Sequence, residues 1–220
     1  MSAMRWDLVI FDCDGVLIDS ELLSIRADRE CLAECGIEIS IEDILERYTG
    51  ISFAGMIADI EARHGPLPPD FADRHGKRLW PLLERELQAI PGITAVLDSL
   101  ICKTCVASIG RPERLKHALS IVGLYDRFHP HIFSAVEVAQ GKPAPDLFLH
   151  AAARMGVAPA HCVVIEDSVP GVVAAVSAGM RVIGFTGASH CRPDDAARLA
   201  AHGAAAVIDD MAKLMPVLSR

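Results

Sequence analysis

The strongest constraint on the fold of this chain is an alternation. After Pro91-Gly92, short apolar runs recur at Thr104–Ser108, His131–Ala135, Cys162–Glu166, Arg181–Phe185 and Ala205–Ile208. Their length and β-branched content suit strands covered on both faces. Helix-like stretches separate them, near 111–121, 145–155, 169–178, 193–202 and 210–218. Strand and helix alternating over short links predicts a parallel sheet with helices on both sides. One further run, Asp7–Phe11, stands alone near the start. It has nothing to pack on locally, so it is expected in the same sheet. The block between, Ser20 to Gln88, carries helical periodicity and no strand pattern, with helices expected near 20–35, 40–47, 52–64 and 70–88. The breaks are Gly36, Gly50 and Gly65–Pro69. The expected fold class is therefore α/β: a doubly wound parallel sheet made of residues 1–18 and 89–220, with an all-helical domain inserted over 19–88.

Composition narrows the function classes. The 220 residues are 51% hydrophobic and 23% charged, which fits a well-buried core and excludes general disorder. A net charge of -8 and 5% aromatics argue against a nucleic-acid partner. Charges interrupt every apolar run before membrane-spanning length, so no membrane partner is expected. Met1 to Asp7 holds no apolar leader. Seven cysteines form no framework, and the single C-x-x-C, Cys102 and Cys105, lacks a second pair for zinc. Free thiols in a cytoplasmic protein are expected.

In an open parallel sheet, function collects beyond the carboxyl ends of the strands. After the first run stand Asp12, Cys13, Asp14 and Gly15; after the second, Ser108, Ile109 and Gly110. Beyond the third lies Gly141-Lys142-Pro143, and the fourth ends in Glu166-Asp167-Ser168. Carboxylates gathered at one rim repel unless a cation sits among them, and hard oxygen donors suit Mg²⁺. A lysine and a hydroxyl opposite them would hold an anion. Metal and anion clamp together are what phosphoryl transfer needs. An EF-hand-like calcium loop is the bland alternative for Asp12 and Asp14, but Val16 and Leu17 stand where that loop needs a ligand and a glycine. Ser108 read alone could be a helix N-cap, and Glu166-Asp167 could simply open the following helix.

Asp12-Cys13-Asp14-Gly15-Val16-Leu17-Ile18-Asp19-Ser20 resembles the signature of the haloacid dehalogenase superfamily. Ala107-Ser108 looks like its second motif, Gly141 to Asp146 like its third, and Val164 to Ser168 with Gly171 and Ala178-Gly179-Met180 like its fourth. All four occur in order. The helical block is similar to the cap of the β-phosphoglucomutase-like and phosphoglycolate-phosphatase-like branch. The resemblance implies Asp12 as nucleophile and metal ligand, and Asp14 as general acid and base with its backbone carbonyl on the metal. It implies Ser108 and Lys142 on the phosphate, and Glu166 and Asp167 completing a Mg²⁺ site.

The cap chooses the substrate. Gly50-Ile51-Ser52-Phe53 occupies the segment where the mutase branch carries an arginine for a second phosphate. Gly50, Ser52 and Phe53 are therefore candidate substrate contacts, with Phe53 in the arginine's place, and Arg47 or Arg63 could stand in. Ile109-Gly110 replaces the two small polar residues usual in the second motif. The expected activity is Mg²⁺-dependent hydrolysis of a small phosphorylated metabolite by a monomer. A phosphomutase is the alternative, followed by a dehalogenase and a non-enzymatic sensor. Asp19 and Ser20 read as a hinge and a cap without chemistry, and His190 as a surface residue.

Overall fold

The computed structural model describes residues 6–219; residues 1–5, within the stretch read as leaderless, and residue 220 lie outside them. Six strands form one parallel sheet: β1 (Leu8–Phe11), β2 (Lys103–Ser108), β3 (Ile132–Ser134), β4 (Cys162–Glu166), β5 (Arg181–Phe185) and β6 (Ala206–Ile208). Their order is β3-β2-β1-β4-β5-β6, so the isolated first run is the central strand. All four residues of β1 are buried. Val9 and Phe11 face one apolar core with Val106, Ile165 and Ile183. Leu8 and Ile10 face a second with Ala107, Val164 and Val182. The two-residue period of a strand thus feeds two separate cores from one short run.

Helices α1 (Glu21–Glu34), α2 (Ile41–Tyr48), α3 (Phe53–His64) and α4 (Phe71–Glu86) follow β1. Ser40 and Ser52 cap α2 and α3 by accepting from the Asp43 and Gly55 amides, which fixes where those helices begin. The four helices share a third apolar cluster, including Ile25, Leu32, Ile44, Met56, Ile60 and Phe71. The far end of α4 does not belong to it: Leu79, Leu82 and Leu83 pack into the core that holds Val9 and Phe11. The chain leaves and re-enters the sheet side by side. Ile18 bridges Ala89, and the Asp19 amide donates to the Gln88 carbonyl at 2.9 Å.

The remaining helices are α5 (Ile93–Ser99), α6 (Pro112–Ile121), α7 (Tyr125–Phe128), α8 (Asp146–Met155), α9 (Val169–Ser177), α10 (Asp195–Ala201) and α11 (Leu214–Leu218). The short helices α5 and α7 have no counterpart in the sequence reading. Among the described residues no helix is long and apolar enough to cross a membrane. All seven cysteines are free; Cys102 and Cys105 pack toward opposite faces of the sheet.

Candidate active site

Register brings the strand ends to one point. Phe11 lies level with Val106 on one side and Ile165 on the other. The residues that follow β1, β2 and β4 therefore surface together, and the Asp12 amide donates to the Ile165 carbonyl at 3.0 Å. Asp12, Asp14, Ser108, Lys142, Glu166 and Asp167 are all buried, from 0% exposed at Ser108 and Glu166 to 8% at Asp14 and Lys142. Charged groups are seldom buried to that degree without partners.

The partners are mutual. Lys142 Nζ donates to Asp12 Oδ1 at 2.8 Å and to Glu166 Oε1 at 2.5 Å. Burial works against the lysine's charge, but the two carboxylates outweigh it and hold Lys142 above its ordinary range. Burial also raises Asp12 well above the usual carboxylate value, assisted by Glu166 and Asp167 and opposed by Lys142. The other Glu166 oxygen accepts from the Ser168 amide and hydroxyl at 2.8 and 2.9 Å. Asp12, Glu166 and Asp167 each offer an oxygen within 4.8 Å of the others. That all-oxygen set, with one lysine against three acids, could hold a cation.

Two glycines make the approach possible. A Cβ on Gly171 would stand 1.7 Å from Glu166 Oε1, and one on Gly15 would stand 1.9 Å from Asp167 Oδ2. Gly15 also has φ +76°, a conformation that costs most residues energy.

Three groups that the sequence reading missed or misjudged lie here. His190, expected at the surface, is buried with Nε2 3.1 Å from Asp167 Oδ2. Burial opposes its charge, yet the Asp167 carboxylate lifts the imidazole to about 11. The reversal comes from the turn after β5, which folds the histidine back under the rim; nothing in its sequence spacing reports that. Ser20, read as a cap without chemistry, stands at the start of α1 but makes no cap bond; its hydroxyl donates to Asp14 Oδ1. Arg114, on the first turn of α6, donates to both Asp14 oxygens, Nη1 to Oδ2 at 2.7 Å and Nη2 to Oδ1 at 2.8 Å. Against the effect of burial, that pair holds the Asp14 carboxyl below its usual value. Its one sequence signal is an arginine six residues past the end of β2.

The cap-side candidates divide. Gly50 sits against the β4 loop, where an added Cβ would come 2.7 Å from Ser168 Oγ. Ser52 and Phe53 make their contacts inside the helical block: Ser52 caps α3, and the Phe53 ring stacks on His75 with centroids 4.4 Å apart. Arg63 is held there too, donating to Asp59 and Tyr48 at 3.2 Å. Arg47 instead lines a cavity of about 200 Å³ together with Ile51, Asp167, Ser168 and His190. Ile109 and Gly110 follow Ser108 directly, and the Gly110 amide donates to the Ser108 hydroxyl at 3.0 Å.

The chain is similar to known proteins in sequence and in fold. A family model described as haloacid dehalogenase-like hydrolase matches residues 6–179. The 6-phosphogluconate phosphatase of Escherichia coli (strain K12) is 32% identical over 86% of this chain and 86% of its own length. Hexitol phosphatase B of the same organism is 33% identical, over 79% of this chain and 81% of its own. Among solved structures, a conserved haloacid dehalogenase-like protein of unknown function from Agrobacterium tumefaciens str. C58 is 43% identical. It covers 97% of this chain and 98% of its own, with a TM-score of 0.84.

Proposed function

Since this chain belongs to the haloacid dehalogenase-like hydrolases, we propose that it is a Mg²⁺-dependent phosphatase that cleaves a small phosphorylated sugar, polyol or sugar acid through an aspartyl phosphate. The observation that carries the reading is the buried set of Asp12, Lys142, Glu166 and Asp167, with Asp14 two residues from Asp12. Carbon–halogen cleavage needs a carboxylate nucleophile but no such trio of acids. A phosphate sensor would need neither the nucleophile nor a second acid.

Asp12, Glu166 and Asp167, with the Asp14 backbone carbonyl, would hold Mg²⁺, whose charge would offset that of the phosphoryl oxygens. Asp12 attacks phosphorus and forms the acyl phosphate. Lys142 steadies the attacking carboxylate and balances the incoming charge. Ser108, at the end of β2, takes a phosphoryl oxygen. Asp14 gives a proton to the leaving oxygen, then takes one from the water that hydrolyses the acyl phosphate.

Residues 19–88 act as the cap over this site, with Gly50 at its edge. No cation stands at Phe53, and Arg63 is tied up within the helices, which leaves Arg47, on the cavity beside Asp167, as the cap arginine that would have to take a second phosphate; we favour hydrolysis over retention of a bisphosphate. The substrate is a phosphorylated metabolite, with neither nucleic acid nor membrane involved. One chain supplies every group, so a monomer suffices, and seven free cysteines suit a cytoplasmic setting.

The deciding experiment is phosphate release from a panel of hexose, hexitol and aldonic acid monophosphates with and without EDTA. Metal-dependent release is expected, with no interconversion of β-glucose 1-phosphate and glucose 6-phosphate. Full activity after chelation overturns the metal assignment, and interconversion faster than release restores the mutase.

A further inference from the structure

One contact near the rim has no part in the scheme above. Arg114 occupies both oxygens of Asp14, and Ser20 takes a further place on Oδ1. A bidentate guanidinium is a strong and directional partner. Held this way, Asp14 is fully engaged before any leaving group arrives. The same guanidinium lies 3.4 Å from Ser24 Oγ on α1. Glu21 precedes Ser24 by three residues, so the two share a helix face. Glu21 opens α1 directly after Ser20 and is half-buried, and its carboxylate makes no hydrogen bond or ion pair among the described residues. Burial and the charges of Asp14 and Asp167 push its carboxyl up to about 7, while His190 and Arg114 pull the other way. Burial is the largest of these effects, and the nearby cations do not outweigh it. Asp14 therefore holds the guanidinium, while Glu21, one turn before Ser24 on the same face of α1, has a carboxylate without a hydrogen-bond or ion-pair partner among the described residues.

We propose that Glu21 is the alternate seat of Arg114: the guanidinium passes from Asp14 to Glu21 when substrate fills the cleft, and Asp14 is released to serve the leaving oxygen. The exchange presupposes that Asp14 is the acid/base group of a phosphatase. Arg114 and Glu21 are positioning residues that act through Asp14. One ion pair is traded for another, so the two states need differ little in free energy, and a bound substrate can bias them. Because one seat is on α1 and the arginine is on α6, the position of the inserted helices sets whether Asp14 is free.

The test is a double-mutant cycle of Glu21→Gln and Arg114→Met, read with two esters. An alkyl phosphate has a poor leaving group and needs the acid; p-nitrophenyl phosphate has a good one and needs it little. Glu21→Gln is expected to lower kcat for the alkyl ester about tenfold with KM within about twofold, and to leave the initial burst of nitrophenolate intact. Glu21→Asp, one methylene shorter, should recover part of the loss. In an Arg114→Met background the Glu21→Gln loss should vanish, because no lock remains to be opened. Arg114→Gln serves if the methionine variant does not fold. Additive losses, an unchanged kcat in Glu21→Gln, or a loss confined to KM overturns the exchange; the last would make Glu21 a substrate contact. A wild type that hydrolyses neither ester removes the phosphatase reading, and the exchange with it.

Discussion

Charge is buried at the edge of the sheet and exposed on the inserted helices. At the rim, Asp12, Asp14, Lys142, Glu166, Asp167 and His190 are all withdrawn from water. On the helices, Arg63 meets Asp59, and Arg74 and Arg78 meet Glu34, with every partner largely or partly solvated. One exception lies inside the helical block: His75 Nε2 stands 2.8 Å from Asp28 Oδ1, both buried, beneath the Phe53 ring. Solvated pairs contribute little to stability. Buried ones cost desolvation that their attraction barely repays. The two apolar faces of the sheet hold the fold together, and the rim is the place where that stability is given up for chemistry.

The sharpest way to break this contrast is to separate activity from stability at Asp12. Asp12→Asn removes one acid from a cluster already strained by repulsion. Turnover should fall at least a thousandfold, about 4 kcal/mol of barrier. The urea midpoint should hold or rise. Near-normal turnover in a folded variant would mean the rim's charge is structural after all.

Lys142→Met makes the opposite cut. It leaves Asp12 and Glu166 buried without their cation, so a loss of about 3 kcal/mol is expected in urea unfolding of the metal-free protein. A loss under about 0.5 kcal/mol would place the lysine among the solvated pairs.

The division of labour was partly legible in the sequence. Asp12, Ser108, Glu166 and Asp167 each stand at the end of an apolar run, and register alone carries them to one rim. Lys142 was reached because its loop follows a strand. Arg114 and His190 were not assigned those positions, since each is placed by a partner distant in sequence: Asp14 is 100 residues from Arg114; Glu21, whose carboxylate has no such partner among the described residues, carries no signal of its own. Periodicity also marked the inserted helices, but not that the far end of α4 belongs to the main core. Leu79, Leu82 and Leu83 have helical spacing whichever apolar surface they meet.

Glu21 sharpens the comparison through pH, because it stands where the two regions touch. Its carboxyl is raised from 4.5 to about 7 by burial and by Asp14 and Asp167, against His190 and Arg114. Between those values the folded protein keeps a proton that the unfolded chain has released, so this group's contribution to stability falls as pH rises. Glutamine has no such proton. Glu21→Gln should gain on the wild type from pH 4.5 upward and lead by about 1–3 kcal/mol at pH 8. Urea midpoints across that range measure it. Equal stability at pH 8 would mean that Glu21 already has a cation, leaving no vacant seat for Arg114.

The smallest effect belongs to the helices. Arg78 donates to Glu34 at 2.6 Å and lies 3.4 Å from Glu30, joining α4 to α1. The side chains are 31% and 43% exposed at the shorter contact. Water there weakens the attraction, and ordering two long side chains offsets much of what remains. Arg78→Ala should cost about 0.5 kcal/mol. Because the pair is solvated, added salt should shrink the difference, since at 1 M the screening length is only about 3 Å. Turnover should not change, because the pair lies away from the rim. A loss above about 2 kcal/mol that persists in high salt would show that this pair bears load as the Lys142 contacts do, and the contrast between rim and helices would fail at its exposed side.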